Sequence, residues 1–266
     1  MGLEFCSFAS GSSGNCYLVR SDSTSLLVDV GIAGKHILSG LKKCGMEAPD
    51  VDGILLTHEH TDHVKSIRMM GRKASNAEIY STAGTLDCVR DKLPEDRATA
   101  IDRNQHFTVG NIEIQAFPIS HDAADPVAYT FRCDGRMLSI MTDTGIVTDE
   151  MFQHIQPSDT AVLEANHEVN ILRVGPYPYP LKQRILGDHG HLSNETAGNT
   201  VCRLLEEHKS DHMPRIVLAH LSHQNNTPEQ AFLTVRNILF EDDYYVGKDL
   251  NLSVAKRSEP TPLLTI

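Results

Sequence analysis

Short apolar runs separated by turn-forming residues recur through the first third of the chain and predict β-strands. Three of these runs lie at residues 5–9, 16–20 and 26–30, and the polar segments between them favour tight turns. An amphipathic stretch at 37–44 stops at a glycine, as helices often do. The next apolar run, at 54–56, has the length of a buried strand. The pattern therefore predicts a strand-rich start into which helices are inserted.

Strands and helices continue to alternate over the rest of the chain. Further strands are predicted near residues 77–81, 106–121, 127–132, 137–142, 160–164 and 216–219. Helices are predicted near 64–73, 84–92, 193–208 and 228–239. The segment 174–180, rich in Gly and Pro with two tyrosines, is expected to be an exposed irregular loop suited to substrate contact.

Two similar halves of interleaved strands and helices predict an α/β fold, a four-layer αβ/βα sandwich with two mixed β-sheets flanked by helices. The chain has 266 residues, which is long enough for a sizeable core. We expect residues 1–266 to form a single domain, because the candidate site residues described below extend over most of that length.

Composition bounds the protein class. No apolar stretch approaches the roughly 20 residues that span a bilayer, and the first residues lack the basic and apolar regions of a secretory signal. The six cysteines form no Cys-x-x-Cys pair, so neither a thiolate metal site nor a disulfide framework is indicated. A cytoplasmic protein with no membrane partner is the expectation.

The net charge of −11 by itself disfavours a nucleic-acid partner. The local distribution of charge favours such a partner. Lys65, Arg68 and Arg72 follow one another at i, i+3 and i+7 and would share one helix face. An ordinary solvated helix face is an equally good interpretation of these three cations.

Three histidines and two acids are concentrated in the six-residue tract His58-Glu59-His60-Thr61-Asp62-His63, directly after a predicted strand. Imidazole and carboxylate ligands suit zinc, manganese or iron, and the tract offers more ligands than one tetrahedral ion needs. The tract therefore predicts two adjacent divalent metals at the carboxyl end of a strand, where α/β proteins place their chemistry. A histidine-rich solvated loop is the alternative.

Three other potential ligands, His121, Asp143 and His220, each follow an apolar run. Taken singly, each is more simply a satisfied polar group at a strand end. Together with the tract they make a set that a purely structural role does not explain.

In this order the motifs resemble those of the metallo-β-lactamase superfamily, whose pattern runs from a strand-end Asp, here Asp29, through HxHxDH to His, Asp and His. The resemblance implies one ion held by His58, His60 and His121, a second held by Asp62, His63 and His220, and Asp143 bridging them. Such a pair of ions would activate a shared water or hydroxide for hydrolysis. Asp29 and Glu164 are expected to support ligands by hydrogen bonding, although Asp29 could equally be a turn former.

Several other segments resemble the YycJ-like (WalJ) branch of that superfamily. They lie at residues 120–126, 162–168, 175–178, 187–195 and 218–222. Members of this branch are metal-dependent 5′→3′ exonucleases acting on double-stranded DNA, linked to DNA repair. The resemblance implies a metal-binding exonuclease here, with the ends of duplex DNA as its partner.

Further residues are assigned to catalysis and to phosphate binding. Asp62 would orient the attacking hydroxide, and His191 is the first choice for a proton donor to the leaving oxygen, with His167 and His223 as rivals. Each of these three histidines could instead be structural. Phosphate or substrate contacts are expected from the turn at 10–15, from the basic face and from a helix start: Ser12, Asn15, Lys65, Arg68, Ser193 and Asn194. The turn is at least as well explained as a plain hairpin loop.

Other substrates remain compatible with the same ligands. RNA or a small phosphodiester is a close alternative, and an ester or thioester hydrolase of the lactonase or glyoxalase kind is another. A non-catalytic DNA-binding protein is disfavoured, because a complete set of clustered ligands is costly without metal.

Overall fold

The computed structural model describes residues 2–208 and 212–266, and the chain divides into two compact units. The first unit contains residues 2–118, 123–136 and 256–266. The second contains residues 119–122, 137–208 and 212–255. The histidine tract belongs to the first unit, and the predicted ligands that follow it belong to the second.

Seven strands of the first unit form a mixed sheet. They are β1 (Glu4–Ala9), β2 (Cys16–Arg20), β3 (Ser25–Val28), β4 (Gly53–Leu55), β5 (Glu78–Thr82), β6 (Ala98–Ile101) and β14 (Leu264–Thr265). Their order is β14-β1-β2-β3-β4-β5-β6. Pairing is antiparallel from β14 to β3 and parallel from β3 to β6. The parallel half therefore places the end of β4, and with it the start of the tract, at a carboxyl edge.

Helices α1 (Gly34–Lys43), α2 (Thr61–Val64), α3 (Ile67–Lys73) and α4 (Ala83–Val89) follow these strands. The amphipathic α1 buries Ile37, Gly40 and Leu41. A Cβ atom on Gly40 would lie 2.6 Å from the ring of Phe8 on β1, so only glycine allows this close approach. The strands predicted at 5–9, 16–20 and 26–30 and the helix predicted at 37–44 are present. The helix begins three residues earlier than predicted.

The prediction of one helix over 64–73 is wrong in detail, because the chain breaks between α2 and α3. Ser66 lies in the break, where its Oγ donates to the Ile32 carbonyl at 2.6 Å and its N–H donates to the Val30 carbonyl at 2.9 Å. These tertiary hydrogen bonds replace helical ones. Lys65 consequently ends α2, while Arg68 and Arg72 belong to α3.

Three antiparallel strands complete the first unit: β7 (His106–Val109), β8 (Ile112–Pro118) and β9 (Val127–Cys133). The turn between β7 and β8 consists of two residues, and Gly110 takes a positive φ of 56° there. Two-residue hairpins require this backbone conformation.

The second unit is built on parallel strands. They are β10 (Arg136–Met141), β11 (Thr160–Glu164), β12 (Arg215–Ala219) and β13 (Asn251–Val254), paired in that order. Its helices are α5 (Asp149–Ile155), α6 (Val169–Val174), α7 (Tyr179–Leu186), α8 (Asn194–Glu206) and α9 (Pro228–Glu241). The register pairs Met141 with Leu163 and Glu164 with Ala219, so the residues just beyond these positions share one sheet edge.

The expected irregular loop at 174–180 is shorter than predicted. Helix α6 reaches Val174, and α7 begins at Tyr179 with a proline in its first turn, a position where proline is tolerated. Tyr179 is nevertheless 72% exposed.

All six cysteines lie in the described part of the chain, and none forms a disulfide. Within the same residues, the helices are too short or too polar to cross a membrane.

Candidate metal centre

The histidines of the tract lie together immediately after β4. His58 Nε2 is 3.1 Å from His60 Nδ1, and His63 Nε2 is 3.6 Å from Asp62 Oδ2. Ligand atoms bound tetrahedrally to one zinc ion at its usual bond lengths are separated from each other by about 3.3 Å. The two donor pairs therefore have the spacing and the chemistry that a divalent cation requires.

The buried carboxylate of Asp29 is hydrogen-bonded to the last histidine of the tract. Asp29 Oδ2 lies 2.7 Å from Nδ1 of His63, and both side chains are fully buried. Asp29 also accepts hydrogen bonds from the backbone N–H and the hydroxyl of Thr57. A carboxylate that accepts a hydrogen bond from Nδ1–H leaves the lone pair of Nε2 for a metal. Asp29 is thus placed where a supporting role needs it, and its φ of 59° shows that it also forms a turn.

Thr57 is a site residue that sequence reasoning missed. Its hydroxyl lies 3.0 Å from Nδ1 of His58 and 3.2 Å from Nδ1 of His63, in addition to its contacts with Asp29. Its position directly before the tract was the available signal, because a hydroxyl at a strand end can bond to the side chains that follow.

Backbone hydrogen bonds fix the tract against the turn at 10–15 and the end of β3. Asn15 N donates to the Asp62 carbonyl, and Val30 N donates to the His63 carbonyl, each at 2.8 Å. A Cβ atom on Gly31 would lie only 1.6 Å from the Asp62 carbonyl oxygen. Gly31 is therefore required for this close approach, and the tract is held independently of its side chains.

The turn at 10–15 contributes to the site differently from the phosphate contact that was expected. Asn15 is fully buried, and its side-chain amide lies 3.1 Å from His63 Nε2. Its Oδ1 accepts from Gly11 N and from the Tyr17 hydroxyl. This burial argues against a direct phosphate contact by Asn15, whereas Ser12 is exposed.

In the second unit, Asp143, Glu164 and His220 occupy the carboxyl ends of the neighbouring strands β10, β11 and β12. Glu164 is the last residue of β11, His220 follows β12 directly, and Asp143 comes two residues after β10. Asp143 and His220 take positive φ values of 62° and 55°. Left-handed backbone at non-glycine residues is uncommon and concentrates at functional sites. The turn at each strand end thus directs polar side chains to one edge.

Glu164 is the centre of a buried hydrogen-bond network. Its Oε2 accepts from the N–H groups of Thr144 and Leu192, at 2.9 and 3.2 Å. Its Oε1 lies 2.8 Å from Nδ1 of both His191 and His220. Burial opposes ionisation of Glu164, but the interactions with His191 and His220 lower its pKa to about 2. The carboxylate is therefore ionised at neutral pH and orients both rings.

Asp143 lies among three histidines of the second unit. Its Oδ1 is 3.2 Å from His220 Nδ1, 3.7 Å from His191 Nδ1 and 3.9 Å from His121 Nε2. His121 Nδ1 is 3.2 Å from the Gly190 carbonyl, which favours a lone pair on Nε2.

Asp143, Glu164, His191 and His220 have ligand atoms close enough to share one metal ion. His191 was expected to donate a proton, and Glu164 was expected to hold a ligand by hydrogen bonding. Their place in this group gives each of them a second potential role, as a metal ligand.

The three histidines proposed as proton donors differ in exposure. His191 has a side chain that is 20% exposed and contacts Glu164. His167 is 1% exposed, and neither of its ring nitrogens has a hydrogen-bond partner among the described residues. Burial lowers the pKa of His167 to about 4 against the opposing effect of Glu164, so the ring is neutral at pH 7. His223 is exposed.

The remaining predicted phosphate contacts lie in both units. Ser193 caps α8 by accepting from Thr196 N at 3.0 Å. Asn194 is fully buried and bonded to Glu168 and Asn226, which argues against a phosphate contact by its side chain. Lys65 and Arg68 are exposed.

Comparison with known proteins agrees with the fold and with the motifs. The family described as beta-lactamase superfamily domain matches residues 26–220. The chain is 37% identical to exodeoxyribonuclease YycJ of Bacillus anthracis, covering 99% of each protein. It is 36% identical to exodeoxyribonuclease WalJ of Streptococcus pneumoniae strain D39, covering 100% of this chain and 99% of that protein.

A solved structure of similar fold is the metallo-β-lactamase fold protein YhfI from Bacillus subtilis, with a TM-score of 0.73 and 16% identity. The match covers 98% of this chain and 99% of that one. The predicted fold class, α/β with two mixed β-sheets flanked by helices, is confirmed by this likeness. The chain belongs to the β-lactamase superfamily and, within it, to the YycJ-like branch.

Proposed function

We propose that the protein is a metal-dependent exodeoxyribonuclease that removes nucleotides from the 5′ ends of double-stranded DNA. The observation that carries this proposal is the 37% identity to a curated exodeoxyribonuclease over 99% of both chains. The potential metal ligands at the ends of β4, β10, β11 and β12 support it, because hydrolysis of a phosphodiester needs metal ligands and little else from the protein.

The donor chemistry fits divalent cations, and we propose two ions of zinc, manganese or iron. One would be held by His58, His60 and His121, the other by Asp62, His63 and His220, with Asp143 shared. When bound, such ions supply Lewis-acid activation of water and stabilise charge on the phosphate. The assignment rests on the superfamily pattern and on the ligand types present.

The protein's own residues position the reacting groups. Asp29 holds the His63 ring at 2.7 Å, and Glu164 holds the His220 ring at 2.8 Å, so both rings keep one nitrogen for a ligand role. The carboxylate of Asp62 is 26% exposed and would accept a hydrogen bond from the attacking water.

His191 is the best-placed proton donor for the leaving 3′-oxygen. It combines a partly exposed ring with a carboxylate partner at 2.8 Å, which orients the ring and leaves Nε2 available to face the substrate. His167 is less suitable, because its buried ring is neutral at pH 7 and has no proton of the required acidity. His223 is exposed, and no carboxylate in the described part of the chain is hydrogen-bonded to its ring.

The wider setting is also part of the proposal. A 5′→3′ exonuclease of duplex ends would act in DNA repair and in the cytoplasm. A single domain over residues 1–266 is proposed because one family match, over 26–220, includes residues of both units.

Label position tests the polarity and the substrate together. Metal-loaded protein would be incubated with duplex DNA labelled at the 5′ end, at the 3′ end or internally, and with RNA of the same sequence, beside an Asp62→Ala, His63→Ala double variant. Early release of the 5′ label as mononucleotides, absent in the double variant, is the expected result. Early loss of a 3′ label would overturn the polarity, and cleavage of RNA alone would overturn the DNA substrate.

A further inference from the structure

An open groove of about 610 Å³ lies between α1 and α3 in the first unit. Nine residues line it: Gly34, Lys35, Leu38, Lys65, Ser66, Arg68, Met69, Arg72 and Lys73. Five of these nine are basic, and none of the described residues that line it is acidic. We call it the basic groove.

The positive charge of the basic groove is mostly not neutralised by the protein. Arg68 pairs with Asp91 at 3.0 Å, in a contact where both side chains are more than half exposed. Among the described residues, no ion pair joins Lys35, Lys65, Arg72 or Lys73 to an acid. The accumulation is notable in a chain whose net charge is −11. Cations gathered in one concavity repel each other, and a bound anion would remove that cost.

The groove brings together cations from two parts of the chain. Lys65 directly follows α2, Arg68 and Arg72 lie on α3, and Lys35 is supplied by α1. The first three cations therefore share the groove even though the single helix predicted for them is broken. Leu38 and Met69 also line the groove, and a Cβ atom on Gly34 would lie 1.8 Å from the end of the Met69 side chain. The side chain of Met69 on α3 thus packs directly against the start of α1 beside the groove.

We propose that the basic groove binds the phosphodiester backbone of the DNA substrate, an inference that rests on the proposed nuclease function. Ser66, which lines the groove, donates its N–H to the Val30 carbonyl at 2.9 Å, and Val30 N donates to the His63 carbonyl at 2.8 Å. This part of the groove therefore adjoins the backbone of the metal-binding tract. Contacts to phosphates fix the position of DNA without reading its sequence. Such contacts suit an enzyme that must continue along any sequence from an end.

Salt dependence of binding tests the groove separately from hydrolysis. Metal-loaded protein would be titrated into a short fluorescent duplex with phosphorothioate linkages, which slow hydrolysis, over a range of salt concentrations. The groove variant carries Lys35→Gln, Lys65→Gln and Arg72→Gln. The control variant carries Lys43→Gln, Lys92→Gln and Lys248→Gln, three exposed lysines outside the groove.

If all three groove cations contact phosphates, the slope of log K against log salt becomes less steep by about 2.7 in the groove variant. Its affinity at moderate salt falls on the order of 100-fold, while the control keeps most of the wild-type affinity. Thermal unfolding of both variants verifies that they are folded. A single-stranded form of the same DNA shows whether one strand is sufficient.

Equal slopes of log K against log salt in the groove and control variants would overturn the proposal that the basic groove binds DNA. The nuclease proposal would remain intact. Displacement of DNA by equimolar inorganic phosphate would also overturn it, because the groove would then be a site for small anions. Groove-dependent binding without hydrolysis of unmodified DNA would support the groove and contradict the nuclease. A wild type that neither binds nor cuts DNA would overturn both.

Discussion

Glu164 Oε1 lies 2.8 Å from Nδ1 of His220, at the carboxyl edge shared by β11 and β12. The register that pairs Glu164 with Ala219 places the two side chains next to each other. A buried carboxylate in this position selects the tautomer of His220 whose Nε2 carries the lone pair, and it restricts rotation of the ring. The sheet register thus prepares a ligand before any cation is present.

Replacing Glu164 with Gln is therefore expected to weaken divalent metal binding about 10- to 100-fold. The amide is a weaker acceptor for the Nδ1 proton and presents an N–H group toward the N–H donors of Thr144 or Leu192. Competition with a chelating dye at constant pH measures the affinity. Glu207→Gln, on an exposed position of the same unit, is the matched control. Equal metal affinities in the two variants would show that Glu164 does not support a metal ligand.

Asp29→Asn tests the corresponding support of His63. Asparagine tolerates the positive φ of 59°, so the substitution changes the hydrogen bonds more than the backbone. Loss of a buried charged acceptor is expected to lower the free energy of unfolding by about 2 kcal/mol and to weaken metal binding as well. Urea unfolding and dye competition measure these effects. Asp52→Asn, at an exposed acceptor in the same unit, should change metal binding little.

The buried His167 predicts a specific pH dependence of stability. Its pKa is lowered by burial from 6.5 to about 4, so between these values the unfolded chain binds a proton that the folded chain does not. Stability from this group is present above pH 6.5 and is lost as the pH falls toward 4. Between pH 7 and pH 5 the loss is about 2 kcal/mol.

Urea unfolding of the wild type and of His167→Gln at both pH values tests this prediction. Between pH 7 and pH 5, the free energy of unfolding should fall by about 2 kcal/mol more in the wild type than in His167→Gln. Parallel pH dependence in the two proteins would show that His167 is not held neutral.

His191→Gln is expected to lower kcat for nucleotide release by about 100- to 10,000-fold, the usual range for loss of a general acid. Metal content is measured in the same samples, because His191 also belongs to a group that could hold an ion. His106→Gln, an exposed histidine on β7, serves as the control. A fall in kcat that is fully explained by lost metal would assign His191 to ligation instead of proton transfer.

The sequence predicted the part of the site whose chemistry is local. The tract at 58–63 and the residues His121, Asp143 and His220 could be proposed because each follows an apolar run. In the second unit, the parallel pairing of β10, β11 and β12 brings Asp143 and His220 to one sheet edge. Most strand positions were predicted for the same reason, since buried strands leave a strong apolar pattern.

Features that depend on tertiary contacts could not be predicted in this way. The break between α2 and α3 comes from hydrogen bonds of Ser66 to residues more than thirty positions earlier. Asn15 and Asn194 were expected at a phosphate because of their residue type, but both are buried by partners distant in sequence. Lys35 was missed for the same reason, because only the packing of α1 brings it to the basic groove.

The most direct test of the account is a metal titration with DNA hydrolysis as the readout. Protein stripped by chelation would receive increasing equivalents of manganese or zinc, and bound metal and mononucleotides released from duplex DNA would be measured in each sample. The account predicts that hydrolysis rises with bound metal to two equivalents and is absent from Asp62→Ala, His63→Ala. Intact DNA at two bound equivalents under each metal would contradict it and indicate a small phosphodiester or an ester as the substrate.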